Sequence, residues 1–135
     1  MITIPISPGE LFDRITILEI KQQNIRVAKK LRHIESELAQ LNHIAHASIE
    51  GSARLEKLQR ELKSINETLW EIEDAIRRCE KEADFGETFI TLARSVYQHN
   101  DRRSDVKRQI NTLLDSEIVE EKSYEDYTRS TDPGQ

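Results

Sequence analysis

The sequence predicts an all-α protein in which two long helices form an antiparallel coiled-coil helical hairpin. A third helix packs at the open end of the hairpin and gives a three-helix bundle. Apolar residues make up 36% of the 135-residue chain and charged residues 33%, a mixture typical of long helices that bury one narrow stripe. Two stripes of apolar residues at 3–4 spacing flank a short loop, and a third stripe of the same period follows.

The first helix is expected to begin in the segment "SPGE", residues 7–10. Ser7 suits the N-cap and Pro8 the first helical position, and Glu10 completes a capping box that satisfies free backbone N–H groups. Residues 2–6 alternate like a short extended arm, which Pro5 keeps out of a central strand. The first helix is therefore predicted over about residues 8–47.

The hairpin prediction rests on two seams of equal length on either side of Gly51. One seam contains Ile17, Ile20, Asn24, Val27, Leu31, Ile34, Leu38, Leu41 and Ala45, and the other contains Leu55, Leu58, Leu62, Ile65, Leu69, Ile72, Ile76, Cys79 and Ala83. At 1.5 Å per residue each seam is about 42 Å long. Helices at about 8–47 and 52–84 would then pack along their whole length, with Ala45 opposite Leu55 and Ile17 opposite Ala83.

A third stripe predicts a helix over about residues 87–114, and it consists of Phe89, Leu92, Val96, His99, Arg103, Val106, Ile110 and Leu113. Extra apolar residues gather toward the open end of the hairpin, which indicates that the third helix packs there. Residues 1–127 are expected to form a single helical domain. Residues 128–135 are expected to be a disordered tail, because they are polar and include Pro133 and Gly134.

Polar residues at positions 99–103 interrupt the third stripe, and the predicted register brings them level with polar residues of the other helices. The candidate ligand-binding residues are Asn24, Glu73, Asp74, Arg77, His99, Asn100, Asp101, Arg103 and Lys107. An unpaired buried polar group costs about 1–3 kcal/mol. These groups must therefore satisfy one another, face solvent or bind a ligand.

Three interpretations of the interruption stay open at this point. Asn24 fixes the helix register while Arg103 forms structural ion pairs. Alternatively, the third helix breaks at Asn100 and Asp101, one of which caps a new helix. In the third interpretation the run binds a ligand, with arginine donors suited to phosphate or carboxylate and His99 suited to proton exchange.

The remaining residues give little evidence of catalysis, and no catalytic residue, metal site or cofactor is predicted. Trp70, beside the second seam, is a candidate partner-binding residue. His43 and His46 supply only two of the three or four ligands of a metal site. Cys79 lies in a seam with no obvious base beside it.

Charge and hydropathy narrow the classes of partner. A net charge of −5 argues against nucleic acid and anionic membranes, which require a basic surface. No apolar run reaches the roughly 18–20 residues of a membrane span, so direct membrane insertion is not expected. The single cysteine excludes an internal disulfide framework, and the first residues lack a secretory signal. A cytoplasmic location is therefore expected.

Four blocks of sequence resemble a bacterial family of short helical proteins of unknown function, often encoded near glycosyltransferase and surface-polysaccharide genes. The blocks are "PISPGELFDRITILEIK" (5–21), "INETLWEIEDAIRRCE" (65–80), "FITLARSVYQHNDRRSDVKRQIN" (89–111) and "EEKSYEDY" (120–127). The resemblance covers most of the chain except about residues 28–60. It implies a helper or binding protein in envelope polysaccharide production and implies no catalytic residue.

We therefore expect a non-enzymatic protein–protein interaction or assembly module, with a protein partner and self-association into a homo-oligomer. The alternative is a small-ligand binder or enzyme that acts on a phosphorylated sugar or nucleotide sugar. In that alternative Arg103, Lys107, His99 and Asp101 contact the ligand.

Overall fold

A computed structural model describes residues 1–129, which contain four helices and no strand. α1 spans Pro8–Asn24, α2 spans Ala28–Ser48, α3 spans Ala53–Lys81 and α4 spans Glu87–Leu113. The all-α prediction is confirmed, and α3 and α4 agree with the predicted helices to within one turn. The predicted disordered tail lies outside the described residues from Ser130 onward. None of the described helices is long and apolar enough to cross a bilayer.

The predicted start of α1 is confirmed. Ser7 is the N-cap in an extended conformation, and its Oγ accepts a hydrogen bond from the Glu10 N–H at 3.1 Å. The Glu10 carboxylate pairs with Arg14 and Lys107. Of the two hydrogen bonds of a capping box, the one accepted by the Ser7 hydroxyl therefore forms. Ser52 caps α3 in the same way by accepting from the Leu55 N–H.

The predicted helix over 8–47 is interrupted at residues 25–27, which corrects the predicted three helices to four. Ile25 and Val27 both adopt extended backbone conformations, which β-branched residues favour. The interruption contains no glycine or proline. It allows α2 to fold back along α1, the one helix whose backbone α2 approaches closely.

The predicted coiled-coil hairpin is therefore wrong, because α2 packs on α1 and does not pair along α3. α1 contacts each of the other three helices, and α3 also contacts α4. Folding back buries apolar residues of all four helices in one cluster of Leu11, Phe12, Ile15, Leu18, Ile34, Leu38, Leu55, Leu58, Leu62, Val106 and Ile110. A long two-stranded seam would have buried one narrow stripe of each helix, and the shared cluster removes more apolar surface from water.

The predicted pairing of Ile17 with Ala83 is also corrected. Ile17 lines a cavity together with Leu69 and Trp70 of α3, whereas Ala83 lies beyond α3 in the turn to α4, with a φ of 53°. α4 is continuous through Asn100 and Asp101, so the interpretation in which the helix breaks there is wrong. Residues 96–103 of α4 thereby face the middle of α1 and the second half of α3.

Candidate functional site

α1 and α4 approach each other closely at Gly9, near the start of α1. The Gly9 N–H donates to the Asn111 Oδ1 at 2.7 Å. A Cβ added to Gly9 would lie 2.6 Å from the Lys107 carbonyl oxygen, closer than real Cβ atoms come. The missing side chain therefore sets the distance at which polar side chains of α1 reach α4.

One turn further along α1, Asp13 is the centre of a polar cluster. Asp13 is a charged residue, yet it is only 1% exposed. Its carboxylate accepts from the Arg103 Nε at 2.8 Å and from the Arg103 Nη2. It also accepts from the Asn66 Nδ2 at 2.9 Å. Because a buried carboxylate must be paired and hydrogen-bonded, Asp13 ties α1 to both α3 and α4.

Thr16 and Asn100 complete the hydrogen bonds of this cluster. The Asn66 Nδ2 also donates to the Thr16 Oγ1 at 2.9 Å, and the Thr16 hydroxyl donates to the Asp13 carbonyl. The Arg103 Nη1 donates weakly to the Asn100 Oδ1 at 3.4 Å. Hydrogen bonding to Asp13 is the main cause that raises the pKa of Arg103 above its usual value.

A second ionic group lies one turn along α4, at Lys107. The Lys107 Nζ is 2.7 Å from the Glu10 Oε2 and 2.9 Å from the Glu120 Oε2. The Ser7 hydroxyl donates to the Glu120 Oε1 at 2.7 Å. Burial alone would lower the pKa of Lys107, but the hydrogen bonds to Glu10 and Glu120 outweigh it and raise the pKa. The bonds from Lys107 and Ser7 likewise lower the pKa of Glu120 against the effect of burial.

Glu120 belongs to an irregular segment, residues 116–129, which runs back along α4 and is called the C-terminal strap below. Besides Glu120, the strap is attached by an ion pair between Lys122 and Asp101. The rings of Tyr127 and Tyr97 meet edge to face with centroids 4.9 Å apart. The chain's last described residues are thus held by contacts with α4 and with the start of α1.

An open cavity of about 950 Å³, called the strap cavity below, lies between α4 and the strap. Its α4 side is lined by Val96, Tyr97, Asn100, Asp101, Arg103, Ser104 and Lys107, and its strap side by Lys122, Tyr124, Glu125, Asp126, Tyr127 and Thr128. All three tyrosines of the chain line this one cavity.

A second cavity of about 600 Å³, called the Trp70 cavity below, lies where α1, α3 and α4 meet. Its lining residues are Ile17, Ile20, Asn66, Leu69, Trp70, Glu73, Asp74, Arg77, Val96, Asn100 and Arg103. Val96, Asn100 and Arg103 line both cavities. Arg103 therefore stands between them, with its guanidinium bound to Asp13.

Most of the sequence-predicted site residues gather at these two cavities. Glu73, Asp74 and Arg77 line the Trp70 cavity, Asp101 and Lys107 line the strap cavity, and Asn100 and Arg103 line both. The candidate partner residue Trp70 is half-buried in the cavity that carries its name.

Asn24 and His99 do not join the cluster. Asn24 is exposed at the end of α1, and its amide donates to the Ile20 carbonyl at 2.8 Å. His99 is half-buried, and its Nδ1 lies 2.8 Å from the Ser95 carbonyl oxygen of its own helix. The polar layer therefore contains residues of α1 that lie two turns or more before Asn24. Asp13, Asn66, Glu120 and Lys122 also belong to the site, and the sequence did not predict them.

The cations Arg103, Lys107 and Lys122 are already paired with carboxylates of the chain. Arg103 pairs with Asp13, Lys107 with Glu10 and Glu120, and Lys122 with Asp101. Among residues 1–129, every buried side-chain nitrogen and oxygen has a hydrogen-bond partner. The cations are thus engaged in the fold and are not free donors for an anion.

Residues considered for metal or thiol chemistry lie elsewhere. His43 and His46 are exposed on α2, and Cys79 is buried in α3. In the described part of the chain, no group of three or more histidine, cysteine or acidic side chains comes together in a way that would hold a metal ion.

Comparison with known proteins yields one family. The match is to the "Family of unknown function (DUF6165)" and covers residues 2–134, including α2, which the resemblance seen in the sequence had left out. No curated protein and no solved structure matches the chain.

Proposed function

We propose that this chain, which belongs to the DUF6165 family of unknown function, is a non-enzymatic module that binds a protein partner where the C-terminal strap lies along α4. The observation that carries the proposal is the gathering of Tyr97, Tyr124 and Tyr127 around the strap cavity, 41%, 83% and 51% exposed. Tyrosine is enriched at protein interfaces because its ring offers a large rigid surface and its hydroxyl a polar contact. Three partly exposed rings at one site are therefore typical of a binding surface.

Trp70 extends the proposed surface to the other side of Arg103. Tryptophan is among the residues that contribute most to binding energy at interfaces, and Trp70 borders a cavity that shares Asn100 and Arg103 with the strap cavity. A partner that enters both cavities would meet aromatic side chains on each side of a polar centre. Aromatic side chains are enriched in the buried core of specific interfaces.

The alternative, a small-ligand binder or enzyme for phosphorylated sugars or nucleotide sugars, has less support. A phosphate that bound Arg103 would have to displace Asp13, whose carboxylate joins three helices. A phosphate at Lys107 would compete with two carboxylates. Self-association, a cytoplasmic location and a role in bacterial envelope polysaccharide production remain parts of the proposal that rest on the sequence alone.

Site-specific crosslinking in cells that express the chain tests the proposal. A photoreactive phenylalanine analogue replaces Tyr124 in one protein and Ser36, an exposed residue of α2, in the control. We expect one discrete crosslinked protein from position 124 and none from position 36. The captured protein, once purified, should bind the wild-type chain and bind Tyr127→Ala at least about tenfold more weakly, as for an interface hot spot.

Two results would contradict the proposal. One is equal crosslinking from positions 124 and 36, and the other is unchanged binding by Tyr127→Ala together with Trp70→Ala. Thermal shift measurements with millimolar glucose 1-phosphate and UDP-glucose test the alternative, a small-ligand binder. A stabilisation of several degrees that Lys107→Met abolishes would favour the ligand binder instead.

A further inference from the structure

The strap cavity has an excess of negative charge once internal ion pairs are counted. Its three cations, Arg103, Lys107 and Lys122, all pair with carboxylates. Its strap side also carries Glu125 and Asp126, which form no ion pair within residues 1–129. The residues beyond Arg129, "STDPGQ", include no lysine, arginine or histidine. Two carboxylates therefore face the cavity without a cation from this chain.

The aromatic rings of the cavity add to the attraction for a cation. The face of a tyrosine ring is electronegative and attracts ammonium and guanidinium groups within about 6 Å of its centroid. The chain already uses one ring in this way, since the Lys122 Nζ lies 5.5 Å from the centroid of Tyr124. Tyr97 and Tyr127 meet each other edge to face and have no such internal cation among the described residues.

From these two observations we propose that the strap cavity binds an arginine side chain presented by a partner polypeptide. Its guanidinium lies against the tyrosine rings, and its N–H groups donate to Glu125 and Asp126. Arginine fits better than lysine because a planar guanidinium stacks on aromatic rings, is less strongly hydrated and donates two parallel bonds to a carboxylate. This inference rests on the proposed function and names the partner chemistry of the same site.

Titration of the full chain with a blocked amino acid tests the inference. The probe is N-acetyl-arginine methylamide, and the matched probe is N-acetyl-citrulline methylamide, which has nearly the same shape and no charge. Binding is followed by NMR through the rings of the three tyrosines and the backbone amides of residues 122–128. We expect saturable shifts at these positions with a millimolar Kd, and about fivefold weaker binding of the citrulline probe, the size of a cation–aromatic contribution.

A double variant and a control variant measure how much the carboxylates of Glu125 and Asp126 contribute to binding. Glu125→Gln with Asp126→Asn removes both charges at exposed positions, and the asparagine can still accept the bond that Asp126 receives from the Thr128 N–H. This double variant should bind the arginine probe at least about threefold more weakly. Glu117→Gln removes a charge from an exposed strap residue outside the cavity and should leave the Kd unchanged.

Equal affinity for the arginine and citrulline probes would overturn the inference. So would a lack of tyrosine shifts at 50 mM probe, or unchanged binding by the double variant while its circular dichroism matches wild type. Failure here differs from failure of the proposed function. If the captured partner still requires Tyr127 but the arginine probe does not bind, the interaction module stands and the arginine inference falls.

Discussion

Replacement of Asp13 by asparagine tests whether the buried ion pair with Arg103 stabilises the contact between α1 and α4. The Asp13 side chain is 2% exposed and the Arg103 side chain 30%. Asparagine keeps one oxygen that can accept from Asn66, but its amide places N–H groups against the guanidinium. The variant therefore loses charge and hydrogen bonds while it keeps its volume.

The expected loss follows from burial. Removing one member of a buried ion pair costs about 3–5 kcal/mol, because the other charge stays behind without a partner. Arg103 is partly exposed, so water can replace some of its lost hydrogen bonds. We therefore expect Asp13→Asn to lower the free energy of unfolding by about 2–3 kcal/mol, a large part of the roughly 5–15 kcal/mol of a typical domain.

Urea denaturation at pH 7, followed by far-ultraviolet circular dichroism, measures this loss through the midpoint and the slope. Glu73→Gln is the control, because it breaks an ion pair of 3.5 Å with Arg77 in which both side chains are more than half exposed. Exposed pairs contribute about 0–1 kcal/mol. In an Arg103→Met background Asp13→Asn should cost at least about 1.5 kcal/mol less than in the wild type, since the two residues interact directly.

A loss for Asp13→Asn no greater than that for Glu73→Gln would refute the reasoning. Strict additivity of the Asp13 and Arg103 variants would refute it as well, because it would mean that the two side chains stabilise the fold independently. A smaller slope for the variant would instead indicate a change in the surface exposed on unfolding.

Three further predictions concern α1, the core and the strap. Gly9→Ala should lower the free energy of unfolding by about 1–3 kcal/mol, whereas Gly51→Ala, with no atom within 4 Å of the added Cβ, should be nearly neutral. Equal effects of the two substitutions in urea denaturation would contradict the close approach of α1 and α4. Leu62→Ala, at a position 0% exposed, should cost about 2–5 kcal/mol, and Ile44→Ala, at a position 49% exposed, well under half as much. The pKa of Glu120 is lowered by folding, so its contribution is present above its usual value of 4.5 and is lost as the pH falls through the lowered value. Strap amide resonances should therefore move toward disordered positions as the pH falls below 4.5 and should do so at neutral pH in Glu120→Gln. A variant whose strap resonances follow the pH as those of the wild type do would argue against this attachment.

Local patterns in the sequence were sufficient to predict the start of α1 and the positions of α3 and α4. The Ser7 cap depends on its neighbours in the chain, and the 3–4 spacing of apolar residues identifies a buried helical face regardless of its partner. These features need no knowledge of distant residues. The boundaries of α3 and α4 were accordingly predicted to within one turn.

The interruption at residues 25–27 depends on distant packing and could not be predicted in the same way. The 3–4 spacing continues through Val27, and neither glycine nor proline marks a turn. A signal did exist in the width of the apolar face of α1, where Leu11, Phe12, Ile15, Leu18 and Ile20 are all buried. A face this wide indicates a helix surrounded by several others, which a two-stranded hairpin cannot provide.

The candidate site was predicted on α4 but not on α1. Arg103 was identified because it interrupts an apolar stripe. Asp13 lies among apolar residues of α1, and the predicted seam, which began at Ile17, did not include it. The 4–3 spacing of Gly9, Asp13 and Thr16 places small and polar residues on one side of α1. Which carboxylate meets Arg103 depends on how closely α1 and α4 approach, and Gly9 determines that distance. The strap has no periodic pattern, so only the family resemblance over residues 120–127 pointed to it.

The central position of α1 has a consequence for synthesis on the ribosome. The carboxylate of Asp13 leaves the exit tunnel 90 residues before the arginine that neutralises it, and at about 5–20 residues per second this delay is on the order of 10 s. During that interval the nascent chain displays an apolar first helix with an unpaired acid in its midst, a species that chaperones and proteases recognise. Chains truncated before α4 would remain in this vulnerable state.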